Sequence, residues 1–506
     1  MIFAIDTVGR TVNMMKKVIA LFLTFATLMI MLVACADGGV DPEATEAASE
    51  VEETTRQDNI PEDLKFNEED ITILNRAWVG WTWDEVAVPE LNSEPVNDAM
   101  FNRNIVVHDR LNLNIVSVPL DDPSEYLPID TIKRVVKTGS DEFDLVAAPV
   151  YTTTPAALEG TFLDMAQLEY LDLDQSYWMQ EYNETMSFAG TQHTATGVIA
   201  LSTYRFAFVT MFNKNAFDDK GVAYPYEAMA NNTWTLDYQA ALAKDFYRDT
   251  NGNNKKDEGD FFGFASCTGI NTDAYWASCD IPILAKNADG YYEYVMDIER
   301  LSNAMDKILY LFYDCGGTFL YPVKTNNVEQ DDLRVLFAKG ETAMTTIRLV
   351  AVEQPDVRDM EQQYGIVPVP KYDEAQEGYG TMIHDQFTVF AVPASAAKDK
   401  LDMIGAALEV MASESQRLVK PAYYEIALKR KYMSDPEAWE MLDLIFSVVR
   451  IDAAVTYVVP MDCPHHNMRN IVASKKNTVA SKCAKLGKNL DRYLTKVHKK
   501  LEKLAE

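Results

Sequence analysis

"ITILNRAW" at residues 71–78, "LNIVSVP" at 113–119 and "FDLVAAP" at 143–149 decide the fold. Each is a short run rich in Ile, Leu and Val, of strand length and too brief for a helix. Between the first two, Val96, Ala99, Met100, Val106, Val107 and Leu111 recur on one helical face. "IDTIKRVVKTG" at 129–139 supplies a second helix before the third run. Strand, helix, strand, helix, strand predicts a parallel sheet with right-handed crossovers. Ligands of such sheets gather beyond the carboxyl ends of the strands. Here those ends are Trp78 with Trp81 in "VGWTWDE", then Val118–Pro119, then Pro149–Thr154, which includes Tyr151.

Further along, "YRFAFVTMFNK" at 204–214 predicts a strand leaving the first lobe, with Tyr204 and Arg205 at the crossing. "NNTWTLDYQAALAKDFY" at 231–247 reads as a helix capped by Thr235. "FFGFASC", "LRVLFAKGETAMTTIRLV", "YGIVPVP" and "QFTVFAVPASA" add strand and helix–strand pieces, and "KLDMIGAALEVMAS" at 400–413 adds a helix. A chain of 506 residues exceeds what one core holds, so two lobes are expected. A formal charge of −31 argues against nucleic acid, whose phosphates demand clustered Lys and Arg.

The first 34 residues have the order of a secretory signal: Lys16 and Lys17, an apolar run Val18–Val33, then Leu32-Val33-Ala34-Cys35. The last four residues resemble a bacterial lipobox, in which Cys35 carries lipid. An uncleaved span is the alternative, since the run is almost long enough to cross a bilayer. From Cys35 to residue 70 the chain is acidic and nearly free of aromatics, too poor in apolar surface to fold. It reads as a tether, with the folded body starting near Ile71. Cys267 and Cys279 are close enough in sequence to bridge, or remain buried thiols.

"DTNGNNKKDEGD" at 249–260 has the register of a calcium loop. Asp249, Asn251 and Asn253 offer side-chain oxygens, Lys255 a backbone carbonyl, Asp257 a direct or water-bridged contact and Asp260 a bidentate carboxylate. Asn254 stands where a calcium loop prefers Gly, and a solvated Asx-rich turn is the alternative. A helix enters and a strand leaves, with no second loop, so the metal is structural and not a sensor's. The C-terminus is basic, and Val479, Cys483, Leu486, Leu490, Leu494, Val497 and Leu501 recur at helical spacing. That predicts an amphipathic helix docked on the body, with a basic face that also permits anionic lipid or wall polymer as partner. "CPHH" at 463–466 lacks partners at zinc spacing, and no G-x-S-x-G, H-E-x-x-H, Walker loop or G-x-G-x-x-G occurs.

Several segments in order carry a resemblance: the lipobox at Cys35, "GSDEFDLV" at 139–146, "MFNKNAF" at 211–217, "TWTLDYQAALAK" at 233–244, "FAKGETAMT" at 337–345, "YGIVPVPK" at 364–371 and "TVFAVPASA" at 388–396. Together they resemble the solute-binding lipoproteins of ABC importers, the family that contains maltose-binding protein. The resemblance implies an α/β, periplasmic-binding-protein-like fold of type II, two lobes on a hinge that the chain crosses more than once. Lobe 1 is then 71–203 plus about 380–425, and lobe 2 is 204–379 plus about 426–506. It implies a monomer, lipid-anchored on the outer face of the cell membrane (or periplasmic if an outer membrane is present). Such a protein delivers a carbohydrate, an oligosaccharide first of all, to permease subunits, and is not an enzyme.

Sugar sites combine aromatic platforms with hydrogen-bonding groups. The ligand-facing candidates by location are Trp78, Trp81, Tyr151, Tyr204, Arg205, Trp276 in "TDAYWAS", Arg348, His384 and Asp385. Where the family segment continues with an aromatic residue this chain reads "TTIRLVAV", so maltose itself is not implied. The alternatives are a surface glycosidase or lyase using a carboxylate pair among 77 acidic residues, and a glycan-binding adhesin.

Overall fold

The computed structural model describes residues 58–76, 85–120, 129–321, 328–424, 436–458 and 460–506. The signal, Cys35 and most of the acidic segment lie outside them, as do Trp78 and Trp81. Contacts of the body begin ahead of Ile71. Asp58 is buried and pairs with Arg110 at 2.6 Å, and Ile60 joins the core of Val107 and Leu111. Composition gave no sign of this attachment, which a few contacts make: that ion pair, Ile60 with Leu64 and Phe66 against the core, and the Phe66 N–H on the Leu111 carbonyl at 2.8 Å.

The first sheet holds β1 (Glu69–Arg76), β2 (Leu113–Leu120), β3 (Leu145–Pro149) and β11 (Thr388–Ala391), in the order β11-β3-β1-β2. β1 runs parallel to β2 and β3, and β11 closes the edge antiparallel. The helix Pro95–Leu111 crosses between β1 and β2. Pro95 opens it, where a missing N–H is harmless, and Val96, Met100, Val107 and Leu111 face inward. It stops at Asn112, a residue that tolerates the left-handed turn (φ 51°), and β2 starts at the next residue.

The second sheet has five strands: β4 (Phe208–Asn213), β5 (Phe264–Cys267), β8 (Thr318–Tyr321), β9 (Met344–Arg348) and β10 (Tyr364–Val367), ordered β10-β4-β9-β5-β8. β4 is antiparallel to both neighbours, whereas β5 is parallel to β8 and β9. A hairpin, β6 (Leu284–Lys286) with β7 (Tyr292–Tyr294), stands apart. The strand expected from Tyr204 opens only at Phe208. Ser202–Arg205 is a helical turn, with the N–H groups of Tyr204 and Arg205 bonded back to the Leu201 carbonyl.

Three extended segments link the sheets. Phe208 N–H donates to the Met382 carbonyl at 3.0 Å, and His384 N–H to that of Phe206 at 3.0 Å. Thr381 N–H donates to Val448 at 2.9 Å, and Arg450 N–H to Thr381 at 2.9 Å. Residues 206–208, 381–384 and 448–450 thus form one hydrogen-bonded ribbon. The first carries the chain from β3 to β4 and the second from β10 to β11, from one sheet to the other, and the third lies alongside them.

The helix Leu401–Glu414 packs on Pro95–Leu111. At Gly405 an added Cβ would lie 2.1 Å from the Glu169 carbonyl oxygen, so only glycine allows this approach. One turn on, the helix places Glu409 beneath Tyr177 and Trp178. The carboxylate accepts from the Tyr177 hydroxyl and from Trp178 Nε1 at 3.2 Å. At the end of the chain, the helix Val479–Ala505 buries Val479, Cys483, Leu486, Leu490, Leu494, Val497 and Leu501. Five cysteines among the described residues are free, with Cys267, Cys279, Cys315 and Cys483 buried, and Cys267 and Cys279 form no bridge. Among the described residues no helix is long and apolar enough to cross a membrane.

Candidate functional site

Both sheets deliver strand ends to the ribbon. β3 ends at Pro149, and the next N–H, from Val150, donates to the Phe387 carbonyl at 2.9 Å. β9 ends at Arg348, and Leu349 N–H donates to Ala207 at 2.9 Å. Polar groups collect there. Asp385 lies 3.4 Å from His384 Nε2 and 3.5 Å from His465 Nε2, and Arg469 grips the buried Asp273 through Nε at 2.8 Å and through Nη2. Arg348 sits over the Phe206 ring, 5.4 Å from its centroid.

These neighbours set the charge states. Burial pushes the Asp385 carboxyl upward, but His384, the hydrogen bond from His465 and the Arg469 charge outweigh it and hold it below the usual carboxylate range. Burial drives the His384 imidazole down to about 3 against the pull of Asp385, so it is neutral at physiological pH. Asp385 is therefore an ionised acceptor with Arg469 as the standing cation.

Beside this cluster is a cavity of about 380 Å³. Val150, Glu181 and Thr185 line it from the first sheet's side, Trp276, Ile283 and Lys286 from the second, and Asp385, Phe387 and Arg450 from the crossing. Asp452 closes its floor, accepting from Ile283 N–H at 2.6 Å, Leu284 N–H at 3.2 Å and Ala454 N–H at 2.8 Å. Burial still raises its carboxyl to about 6. Burial likewise raises Glu181 and lowers Lys286, whose ammonium donates to the Ser187 carbonyl at 2.5 Å. Trp276 Nε1 is buried with no hydrogen-bond partner among the described residues.

A larger cavity of about 640 Å³ shares Glu181, Glu184 and Ile383 with the first and is walled by Trp178, Tyr204, Tyr424 and Phe446. Tyr204 stacks edge-on against Phe446, with ring centroids 4.5 Å apart.

Of the residues singled out from sequence, Trp276, Arg348, His384 and Asp385 come together at the crossing. Tyr151 follows Val150 in the helix Val150–Ala157, one residue past the cavity wall. Tyr204 belongs to the larger cavity, and Arg205 is committed to Glu353 at 2.9 Å. Sequence reasoning missed Asp273, Asp452 and Arg469, and set His465 aside as incidental within "CPHH". His465 and Arg469, four apart on the helix His465–Ser474, share a face, a spacing visible beside the "CPHH" that drew attention.

In the loop 249–260, Asp249 accepts from Gly252 N–H at 2.7 Å and Asn254 N–H at 2.8 Å, and Asn254 takes the left-handed turn (φ 56°) that its sixth place demands. Asp260 accepts from Thr250 N–H at 3.2 Å and the Tyr247 hydroxyl at 3.0 Å. The amide nitrogens of Asn251 and Asn253 both point at Asp257, at 2.9 Å each. Among the described residues no three His, Cys, Asp or Glu gather as a metal site. The oxygens are spent on N–H groups, so this geometry is that of a self-satisfied turn.

The chain matches no family model and no curated protein. Its architecture is nonetheless shared. The GacH receptor of Streptomyces glaucescens superposes with a TM-score of 0.54 at 14% identity, over 85% of this chain and 99% of that one. Maltose-bound MalE3 of T. maritima gives 0.52 at 13%, over 84% and 99%. An ABC transporter solute-binding protein of Thermotoga lettingae, bound with α-D-tagatose, gives 0.53 at 11%, over 84% and 100%. This is the solute-binding-protein fold. The two sheets are its two lobes, and the ribbon is the hinge between them.

Proposed function

We propose that this chain is a lipid-anchored, extracellular solute-binding protein that captures a carbohydrate, foremost an oligosaccharide, by closing its lobes and passes it to an ABC permease. The observation that carries the reading is the 380 Å³ cavity, bounded at once by both lobes and by Met382, Ile383, Asp385 and Arg450 at the crossing. Its size is in the range of about 300–1,000 Å³ usual for small-molecule sites. Trp276, Tyr292 and Phe387 offer faces for sugar C–H groups, and Glu181, Asp452, Lys286 and Arg450 offer partners for hydroxyls. The likeness in fold to proteins solved with acarbose, maltose and tagatose supports a sugar as the guest.

Ligand contacts from both lobes shift the population toward the closed form. A thermal-shift screen of mono- and oligosaccharides against amino acids and peptides, followed by calorimetry and small-angle scattering, tests this. The expected result is one-to-one binding of a sugar, a smaller radius of gyration on binding, and recovery of the sugar uncut. Trp276→Ala should weaken binding at least tenfold. A cleaved product, or binding only to polymer, overturns the reading in favour of an enzyme or an adhesin.

Two parts are separable. Anchoring rests on Cys35, and lipid labelling that survives Cys35→Ala would refute it. Structural calcium at 249–260 requires the Asn251 and Asn253 amides to turn away from Asp257 so that oxygens face inward.

A further inference from the structure

The helix Val479–Ala505 has two unlike faces. One is the docked apolar stripe. Directly opposite, Lys485, Lys488, Arg492, Lys496, Lys499 and Lys503 recur at spacings of three and four, all exposed. Side chains spaced this way form one row along a helix. At 1.5 Å per residue the row is about 27 Å long. No carboxylate among the described residues lies within ion-pair distance of any of the six, and the helix's two acids, Asp491 and Glu502, lie off to one flank. Glu502 is turned to the Tyr291 hydroxyl at 3.0 Å.

The segregation is also global. The helix carries eight Lys and Arg against two Asp and Glu, net +6, on a chain whose remaining residues sum to −37. If cations served only for solubility, they would be mixed with acids as on the rest of the surface. A helix is about 10 Å across, and charges are screened beyond roughly 8 Å at physiological salt. The acidic body is therefore largely invisible to anything touching the outer row.

We propose that this row is a docking face for an anionic lipid surface, which it holds with the helix lying flat. Charge complementarity gives the sign, and the length of the row matches a plane better than a point ligand. The chain outside the described residues adds position. On the proposed anchoring through Cys35, on which this choice of partner rests, only residues 36–57 separate the bilayer from Asp58. A stretch of that length reaches at most about 75 Å even if fully extended, so the body stays within reach of the surface. One lipid signal plus a basic patch is the usual requirement for stable attachment, and a fixed face toward the lipid would fix the orientation of the hinged lobes.

The test uses the compact unit Arg56–Glu506, which contains every contact described and lacks Cys35, so its outcome is independent of the lipid-labelling experiment. Sedimentation with vesicles of 30% phosphatidylglycerol in phosphatidylcholine should show at least tenfold greater binding than with phosphatidylcholine alone, and 0.5 M salt should abolish the difference. The variant Lys485→Gln, Lys488→Gln, Lys496→Gln, Lys499→Gln should lose that binding with its thermal melt and sugar affinity unchanged. Equal binding to both vesicle types, or full binding by the variant, overturns the proposal. Retention by soluble polyphosphate without binding to anionic vesicles also overturns it, assigning the row to an anionic polymer.

Discussion

Asp385, half-buried at the hinge, and Glu409, buried in lobe 1, are carboxylates driven in opposite directions. Asp385, at the hinge, has two imidazoles and the Arg469 guanidinium around it and stays ionised. Glu409, inside lobe 1, has a hydroxyl, an indole N–H and the Asp172 N–H at 3.3 Å, with no cation among them, and burial lifts it to about 7. Burial alone therefore does not decide the charge of an acid; a fixed cation does. The hinge keeps a permanent charge where lobes meet, while lobe 1 holds a proton-dependent one under its core helix.

The largest test removes the cation. Arg469→Met leaves Asp273 buried without a partner and should cost about 3–5 kcal/mol in urea unfolding at pH 7. It should also shrink the stability that Asp385 loses in acid, because without the Arg469 charge its carboxyl rises toward the ordinary range. A loss under 1 kcal/mol would show that the contrast has another origin.

The second test removes the proton. The Glu409 carboxyl is raised on folding, so the folded form keeps a proton that the unfolded chain has lost between about pH 4.5 and 7. Its contribution is thus best below pH 4.5 and worsens as pH rises through 7. Glu409→Gln should flatten that part of the profile and gain roughly 3 kcal/mol over the wild type at pH 8. A variant less stable than wild type at pH 8 would argue for a well-compensated ion.

His384 gives the opposite slope. Its imidazole is depressed to about 3, so below pH 6.5 the unfolded chain gains a proton that the folded one refuses. Stability should fall by roughly 2 kcal/mol from pH 6.5 to 5 on this account, and His384→Gln should remove that loss. Calcium is the smallest effect. At ten times its dissociation constant the metal should add about 1.4 kcal/mol to chelated protein, and Asp260→Ala should abolish the gain. A melting temperature indifferent to calcium in both proteins disproves the structural metal.

The strands and helices were legible because their apolar periodicity is local. β1, β2, β3 and β10 lie where short runs of Ile, Leu and Val placed them, and Thr235 caps its helix by accepting from Tyr238 N–H at 3.3 Å. The family segments gave the second lobe its order. Tyr204 and Arg205 read as strand because Tyr, Arg and Phe suit either form, and the bonds to Leu201 that make them a helical turn are invisible in composition. The site was half legible. Arg348 ends β9 and His384 and Asp385 come just before β11, so topology nominates them, and Trp276 stands in the short helix Ala274–Ser278. Asp273 and Arg469, 196 positions apart, pair through folding alone. No spacing rule reaches that far.

The triple ribbon has one more consequence. Because the crossings at 206–208 and 381–384 are laced edge to edge with each other and with 448–450, a protease that nicks one crossing should not release either half. The cut protein should run as one particle in native conditions and as fragments only in detergent. The halves should stay in register, since the uncut crossing and the backbone hydrogen bonds across the ribbon still hold them.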